Sequence, residues 1–460
     1  MLKLRVLFSS LIVLSLITGV VDAKVSQQDA KRLRQDLTPF GAIREGNAAG
    51  TIPAWTGGYS KWPKGYKRSG QHHINPFPND KPLFTITAQN MNKYKKNLTP
   101  GLIALLKTYP ASFRMPVYVT RRTNTAPKWV IKNIYKNATT AVLTRGGNGI
   151  KGAYGGIPFP ILNGNRSEKA LEAIWNHLTR WRGVFVTRRA SQVAVQRNGD
   201  YSLVTSQQEV FFNYYNPKGS EKTLHNILFD YLSFIISPAR LAGGALLIHE
   251  TLDQTKMPRQ AWGYNSGQRR VRRAPSLAYD SPIASSDNLR TADDTDMYNG
   301  SPDRYNWTYK GVKEMYIPYN NYKIQAAGVK YKDVLGVSNI NPKYTRWELH
   351  RVHVVQADLK KGARHIYKKR VFYIDEDSWG IALVDQYDNR DDLWRVSMAF
   401  LKDFYDLPGV WTTLDVFYDL QAHRYHVMGL DSEAPTTRVF SNKVPSRRYF
   451  KPSTLRRRGR

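Results

Sequence analysis

The apolar positions change their period along the chain. Over residues 167–182, Leu171, Ile174, Trp175, Leu178 and Trp181 recur at helical spacing and form one apolar face, which Gly183 ends. Residues 224–236 carry a second stripe, with Ile227, Leu228, Tyr231, Leu232, Ile235 and Ile236 inward, and are read as a helix that stops at Ser237-Pro238. Shorter helical patterns cover residues 88–97, 100–109 and 128–138. Ser26 and Asp29 open a further helix, which Leu33 and Leu37 continue. Elsewhere the period is two. Residues 184–196 and 201–215 flank Asn198-Gly199, the strongest short hairpin signal, and residues 260–263 and 269–274 flank Asn265-Ser266-Gly267. The last third reads as a meander of strands near 345–359, 365–374, 381–387, 393–405, 411–420 and 424–430. Its short turns require antiparallel neighbours, because parallel strands need long crossovers. The expected fold class is α+β: a large curved antiparallel sheet, an open half-barrel, with helices packed on its concave side.

Residues 37–82 show neither period. They are rich in Gly, Pro, Asn and Trp, and are expected to wrap the surface as a strap fixed by buried Trp55 and Trp62. Residues 1–23 have a different character again. Lys3 and Arg5 precede an uncharged apolar stretch over residues 6–21, and Val21-Asp22-Ala23 places small residues at a cleavage site. That is the layout of a secretory signal peptide cut after Ala23. The stretch is shorter than the roughly 20 residues a membrane span needs. A periplasmic location follows in a Gram-negative cell. With no Cys in the chain, a disulfide framework, a thiolate metal site and a Cys nucleophile are excluded.

Charge changes the picture further. The chain holds 69 Lys and Arg against 36 Asp and Glu, a formal net charge of +33. In a cytosolic protein this would point to nucleic acid, but export removes that partner. The excess is also concentrated: residues 81–167 hold fourteen basic side chains and residues 436–460 hold nine, with no acid in either stretch. Arg121 and Arg122 in the first stretch, Arg269, Arg270, Arg272 and Arg273 between them, and Arg456, Arg457 and Arg458 at the end are the candidates for docking to an anionic membrane surface. A solvated basic surface is the alternative reading.

Catalytic signatures are scarce. The sequence has no G-x-S-x-G, H-E-x-x-H or Walker loop. Gly147-Asn148-Gly149-Ile150-Lys151-Gly152 matches a dinucleotide fingerprint in letters, but no helix follows it, so it is read as a turned loop. The ten His form no metal spacing, and His350 and His353 are expected on opposite sides of one strand. His249-Glu250 is a possible dyad for an envelope hydrolase, with a structural pair as the alternative. Asp287, Asp293, Asp294, Asp296 and Asp303 are read as solvated turns and helix starts. Asp375, Glu376, Asp377, Asp388, Asp391 and Asp392 fall at meander turns, where Asp is common. No metal or cofactor is expected.

Several blocks carry a resemblance. The run Arg370 to Trp379, followed by residues 381–388 and Leu393-Trp394-Arg395-Val396, resembles the sheet edge of the lipoprotein-carrier superfold of LolA, LolB and the sigma-factor regulator RseB. Leu37-Thr38-Pro39-Phe40-Gly41, the run Gly50 to Gly58, Asp80-Lys81-Pro82-Leu83-Phe84, the run Gly152 to Pro160 and residues 260–275 are similar to a proteobacterial family, domain of unknown function 1329. Members of that family are labelled outer membrane lipoprotein-sorting proteins. The resemblance covers residues 25–430 and implies one domain with a wrapping N-terminal segment, leaving residues 431–460 as a flexible basic tail.

It also implies an apolar cavity for a lipid or other hydrophobic ligand. Candidate lining is Trp175, Trp181, Phe229, Tyr231 and Phe234 on the two main helices, with Tyr154 and Phe159 on the Gly-rich loop; ordinary core packing is the alternative for each. An outer-membrane β-barrel protein and a resistance-nodulation-division-type transporter are the implied partners. The expected function is a non-enzymatic periplasmic carrier or adaptor, with a scaffold or envelope sensor as the alternative and a hydrolase third.

Overall fold

The computed structural model describes residues 25–274, 277–283, 285–446 and 448–458; the expected leader, residues 1–23, lies outside them. After helix α1 (Gln27–Lys31), the strap runs without regular structure to strand β1 (Phe84–Ile86). Helix α2 (Pro100–Thr108), strand β2 (Met115–Val117) and helix α3 (Lys128–Thr140) follow. The Gly-rich loop is the turn of a small hairpin, β3 (Val142–Leu143) with β4 (Ile150–Lys151), and leads to helix α4 (Arg166–Thr179). Asn165 and Glu168 cap α4 reciprocally, which satisfies the otherwise unpaired N–H groups of its first turn.

The large sheet then begins. Strands β5 (Phe185–Val195) and β6 (Val204–Phe211) form the hairpin expected at Asn198-Gly199, with Gly199 at φ +90°. Next come β7 (Ile227–Ser237), β8 (Ala245–Thr251), β9 (Gln260–Asn265) and β10 (Arg270–Arg273). A 14-residue strand, β11 (Tyr305–Pro318), and helix α5 (Tyr331–Val334) precede the meander. The meander is β12 (Trp347–Leu359), β13 (Lys369–Asp375), β14 (Ile381–Tyr387), β15 (Leu393–Asp403), β16 (Val410–Asp419) and β17 (Arg424–Leu430), close to its expected bounds. Strand β18 (Val439–Ser441) and helix α6 (Pro452–Arg458) end the chain.

The sheet has 16 strands in the order β1-β2-β12-β13-β14-β15-β16-β17-β5-β6-β7-β8-β9-β10, with β11 also on β12 and β18 on β5. It is antiparallel apart from one parallel bridge between β2 and β12, and it does not close into a barrel. The fold class is α+β, as expected.

Residues 227–237 are a strand, not a helix. Both faces of β7 are covered in part: Phe229 lies on one side and Leu232 and Phe234 on the other, and all three are buried. A strand covered on both sides reads as a continuous apolar run, which periodicity cannot separate from a helical stripe.

The helices are also not gathered on one side. Asp385 accepts the Gly101 N–H at 3.1 Å, which places α2 on one face of the meander. The next residue, Gln386, points to the other face and donates to Asp294 at 2.8 Å. Helix α4 lies on that second face, where its His177 Nε2 is 3.0 Å from the Asp296 carbonyl. The tail lies on the α2 face: Phe450 stacks on Phe211 at 6.2 Å, and Arg458 pairs with Glu209 at 2.7 Å. The described part of the tail therefore packs against the sheet, and Phe450 and Leu455 join the main buried cluster.

Arg122 fastens the strap. Buried itself, it donates to the carbonyls of Ile43 at 2.8 Å and Arg44 at 3.1 Å, and pairs with Asp377 at 2.7 Å. Trp55 helps by donating to the Asn124 carbonyl at 3.0 Å. Trp62 is not buried as expected: it is 48% exposed, with its ring edge-on to Tyr66 at 5.0 Å. Gly41 has φ +90°, and a Cβ there would stand 1.6 Å from the Pro160 carbonyl oxygen. Gly41→Ala is expected to lower the urea midpoint at unchanged slope, with a loss of about 2 kcal/mol, because left-handed strain and a backbone clash combine.

Candidate ligand-binding cavity

Alternate residues of a strand share a face, so β5, β6 and β7 send Val186, Val210, Phe229 and Tyr231 to the α4 face. Trp411 on β16 and Met428 on β17 extend this apolar wall, and residues 295–299 roof it. They line a partly open cavity of about 100 Å³. An apolar cavity of about 150 Å³ takes a benzene ring, so this space suits one end of a ligand.

One side of the cavity is charged, with Arg182, Arg188 and Arg438 facing Asp296 and Asp415. Arg182 pairs with Asp296 at 2.5 Å, and Arg180 holds the other carboxylate oxygen at 2.7 Å. Burial opposes ionisation of Asp296, but the two guanidinium groups outweigh it and hold the carboxyl far below its usual range. Burial, then the like charge of Asp296, pushes Asp415 up to about 6. Arg188 donates to Gln208 at 2.6 Å, and Arg438 stacks on Trp411 at 4.4 Å. Arg182 and Arg438 each keep a buried Nε–H with no acceptor among the described residues. Three guanidiniums against two carboxylates leave this end positive.

Of the expected lining residues, Phe229 and Tyr231 reach the cavity, from a strand. Phe234 faces the opposite way, under the Arg458 guanidinium at 4.5 Å. Trp175 donates to the Gly147 carbonyl at 2.8 Å and Trp181 to Pro408 at 3.1 Å, and both belong to the core around α4. Tyr154 donates to the Asn216 carbonyl at 2.8 Å, and Phe159 is buried beside Asn176. Val186, Val210, Trp411, Met428 and the five charged groups were not anticipated. Their only local signal is two-residue alternation, as in Val186 with Arg188 and Gln208 with Val210.

A wider cleft of about 450 Å³ lies on the α2 face, between β6–β8 and the tail. His249 lines it and lies 2.8 Å from the Phe450 carbonyl. Glu250 points to the other face and binds Arg259 at 2.8 Å and Asn299 at 2.9 Å. Strand alternation thus separates the two members of the expected dyad.

Of the acidic groups, Asp287, Asp391 and Asp392 are exposed, as expected of solvated turns, but several others are taken up by buried partners. Asp293 and Asp294 are buried against Arg370, and Asp296 against Arg180 and Arg182. Asp375, Glu376 and Asp377 are buried as well. His350, Asp375 and Asp377 bring ligand-type atoms within 4.8 Å of one another. Arg122 occupies both oxygens of Asp377, and His350 Nε2 faces Glu348 at 3.1 Å. That leaves His350 Nδ1 and Asp375 Oδ1, 3.6 Å apart. Glu348 and Asp375 help raise the pKa of His350 against the effect of burial. His350 and His353 do face opposite sides; His353 stacks on Trp379 at 4.5 Å.

Among the expected docking residues, Arg121 is tied to Asp80 at 2.6 Å, Arg122 is buried and Arg458 is paired with Glu209. Arg269, Arg270, Arg272, Arg273, Arg456 and Arg457 are exposed.

The family model described as a protein of unknown function (DUF1329) matches residues 85–456. The chain belongs to the DUF1329 family. An uncharacterized protein of Pseudomonas aeruginosa is 46% identical over 457 residues, 98% of each chain. Among solved structures, a domain from Vibrio parahaemolyticus named for outer membrane lipoprotein sorting is 15% identical with a TM-score of 0.43, over 63% of this chain and 99% of its own. A LolA superfamily protein from Nitrosomonas europaea is 11% identical with a TM-score of 0.35, over 63% and 98%. The family match runs on to residue 456, so the segment after residue 430 falls largely inside the DUF1329 domain, not beyond it.

Proposed function

We propose that this DUF1329 protein is a non-enzymatic carrier for an amphiphile with an apolar chain and an oxygen-rich, anionic head. One observation carries the reading: an apolar-walled cavity on the α4 face ends in three arginines, two of which keep a buried Nε–H without an acceptor. Apolar walls favour a chain at about 25 cal/mol per Å² buried. A buried donor left unmade costs about 1–3 kcal/mol, which a head-group oxygen would relieve. The leader-like residues 1–23 support a periplasmic setting, and no helix among the described residues is long and apolar enough to cross a membrane. In that setting an outer-membrane β-barrel protein and a resistance-nodulation-division-type transporter would be its partners.

The test is solvent extraction of the natively purified protein, with mass spectrometry of the extract and titration with a fluorescent fatty acid. Bound amphiphile is expected, and Val210→Trp, which fills the cavity, should weaken the probe by about tenfold or more, ~1.4 kcal/mol. A thermal melt checks that the variant is folded. An empty extract together with no probe binding by the unaltered protein would sink the carrier reading.

A further inference from the structure

The sheet ends in a basic corner that the cavity does not use. The turn between β7 and β8, residues 238–244, meets the turn between β9 and β10, and Ser266 Oγ donates to the Ala242 carbonyl at 3.0 Å to hold them together. Register places Ala245 opposite Tyr264 and Asn265 opposite Arg270, so both turns lie at the same end of the strands. Arg240, Arg269 and Arg270 are exposed there, and Arg272 and Arg273 continue along the edge strand. No acidic residue occurs between Asp230 and Glu250 or between Asp253 and Asp280. The tail adds to this edge: α6 packs on β8, β9 and β10 and leaves Arg456 and Arg457 exposed. Apolar surface sits among these charges, because Ile236 is 37% exposed and Leu241 is half-buried.

We propose that this corner, the two turns with the β10 edge and α6, docks the protein on an anionic phospholipid bilayer. Charge alone fits any anion. An apolar tip ringed by arginines fits a bilayer better, because headgroup phosphates meet the guanidiniums while Ile236 and Leu241 enter the interfacial layer. Arginine suits the role because its fork binds phosphate oxygens in pairs and keeps its charge. Bringing residues 240, 269–273 and 456–457 to one edge is a product of the fold, since they are widely separated in sequence. Docking stands apart from the carrier reading, because it can hold with the cavity empty.

The experiment is co-flotation of the protein, purified from an expressing envelope so that the cell has processed any leader. The vesicles are phosphatidylcholine, with or without phosphatidylglycerol. Binding to the anionic vesicles alone is expected, weakening as salt rises. Arg269→Gln/Arg270→Gln/Arg272→Gln/Arg273→Gln should lower partitioning by about six hundredfold at low salt, each basic group near the surface being worth roughly fivefold. Ile236→Asp should lower it with every arginine in place. Fatty-acid titration of the same variants reports the cavity separately and should not change. Equal binding to neutral vesicles, no binding at low salt, full binding by the quadruple variant, or capture of an acidic protein partner in place of vesicles would each overturn the proposal.

Discussion

Arg370→Met is expected to destabilise the protein by about 3–5 kcal/mol, the usual cost of removing one partner from a buried ion pair. Arg370 is fully buried on β13, with Asp293 at 2.9 Å and Asp294 at 3.9 Å. Rings surround the guanidinium: Tyr305 at 4.7 Å, Tyr298 at 5.1 Å and Phe372 at 5.6 Å. Methionine keeps the bulk and leaves two carboxylates with reduced compensation, Asp293 retaining His365 at 3.1 Å and Thr291 at 2.7 Å. Burial opposes ionisation of Asp293, yet Arg370 and His365 hold its carboxyl far below the usual range. The stability from this pair is therefore fully present above the unfolded carboxylate pKa, and is lost as pH falls below it towards the folded value. Urea unfolding at pH 7 checks the prediction. Adding Asp293→Asn should recover part of the loss, and a single variant within 1 kcal/mol of the parent would show that the pair does not anchor residues 292–300.

Asp385→Asn should act in the opposite direction. Asp385 is fully buried on the α2 face, where it accepts from Gly101 N–H at 3.1 Å, Tyr373 at 3.1 Å and Thr99 at 3.3 Å. A Cβ on residue 101 would stand 2.2 Å from the carboxylate, so only glycine lets the start of α2 approach so closely. Burial dominates over these donors and pushes the carboxyl up from 3.8 to about 7. Between those values the folded protein holds a proton that the unfolded chain has released. Stability from this group is complete below about pH 4 and falls as pH rises to about 7, a loss of about 4 kcal/mol at about 1.4 kcal/mol per unit. Asparagine mimics the protonated acid. The variant should match the parent at pH 4 and exceed it by up to about 4 kcal/mol at pH 8, which denaturant curves at the two pH values measure. A constant difference across that range would mean that Asp385 is ionised throughout.

Both predictions concern carboxylates whose environment the chain order hides. Asp293, Asp377 and Asp385 look like ordinary turn and strand residues, and a reading by turn preference assigns the first two to turns. Their compensating groups come from elsewhere: Arg370 lies 77 residues after Asp293, and Arg122 reaches Asp377 across 255. No window along the sequence contains both halves of such a pair. The docking arginines illustrate the same point, because Arg122 and Arg269 are alike in sequence, yet one staples the strap and the other is exposed.

What the chain specified by itself was local. Two-residue alternation with Asn-Gly and Asp-rich turns placed the β5–β6 hairpin and the meander within a few residues, because turn chemistry and strand pleat act over short distances. The same holds for α4, whose stripe and cap are contained in its own sixteen positions or so. Tertiary structure decided the rest. It made residues 227–237 a strand because neighbours on both sides offered ladder hydrogen bonds and cover for both faces. It formed the cavity where β5–β7 meet β16 and β17, strands about two hundred residues apart in the chain, and it sorted the +33 excess into buried partners and an exposed corner. Burial and charge pairing are properties of the assembled sheet, so they could be read only after it had been put together.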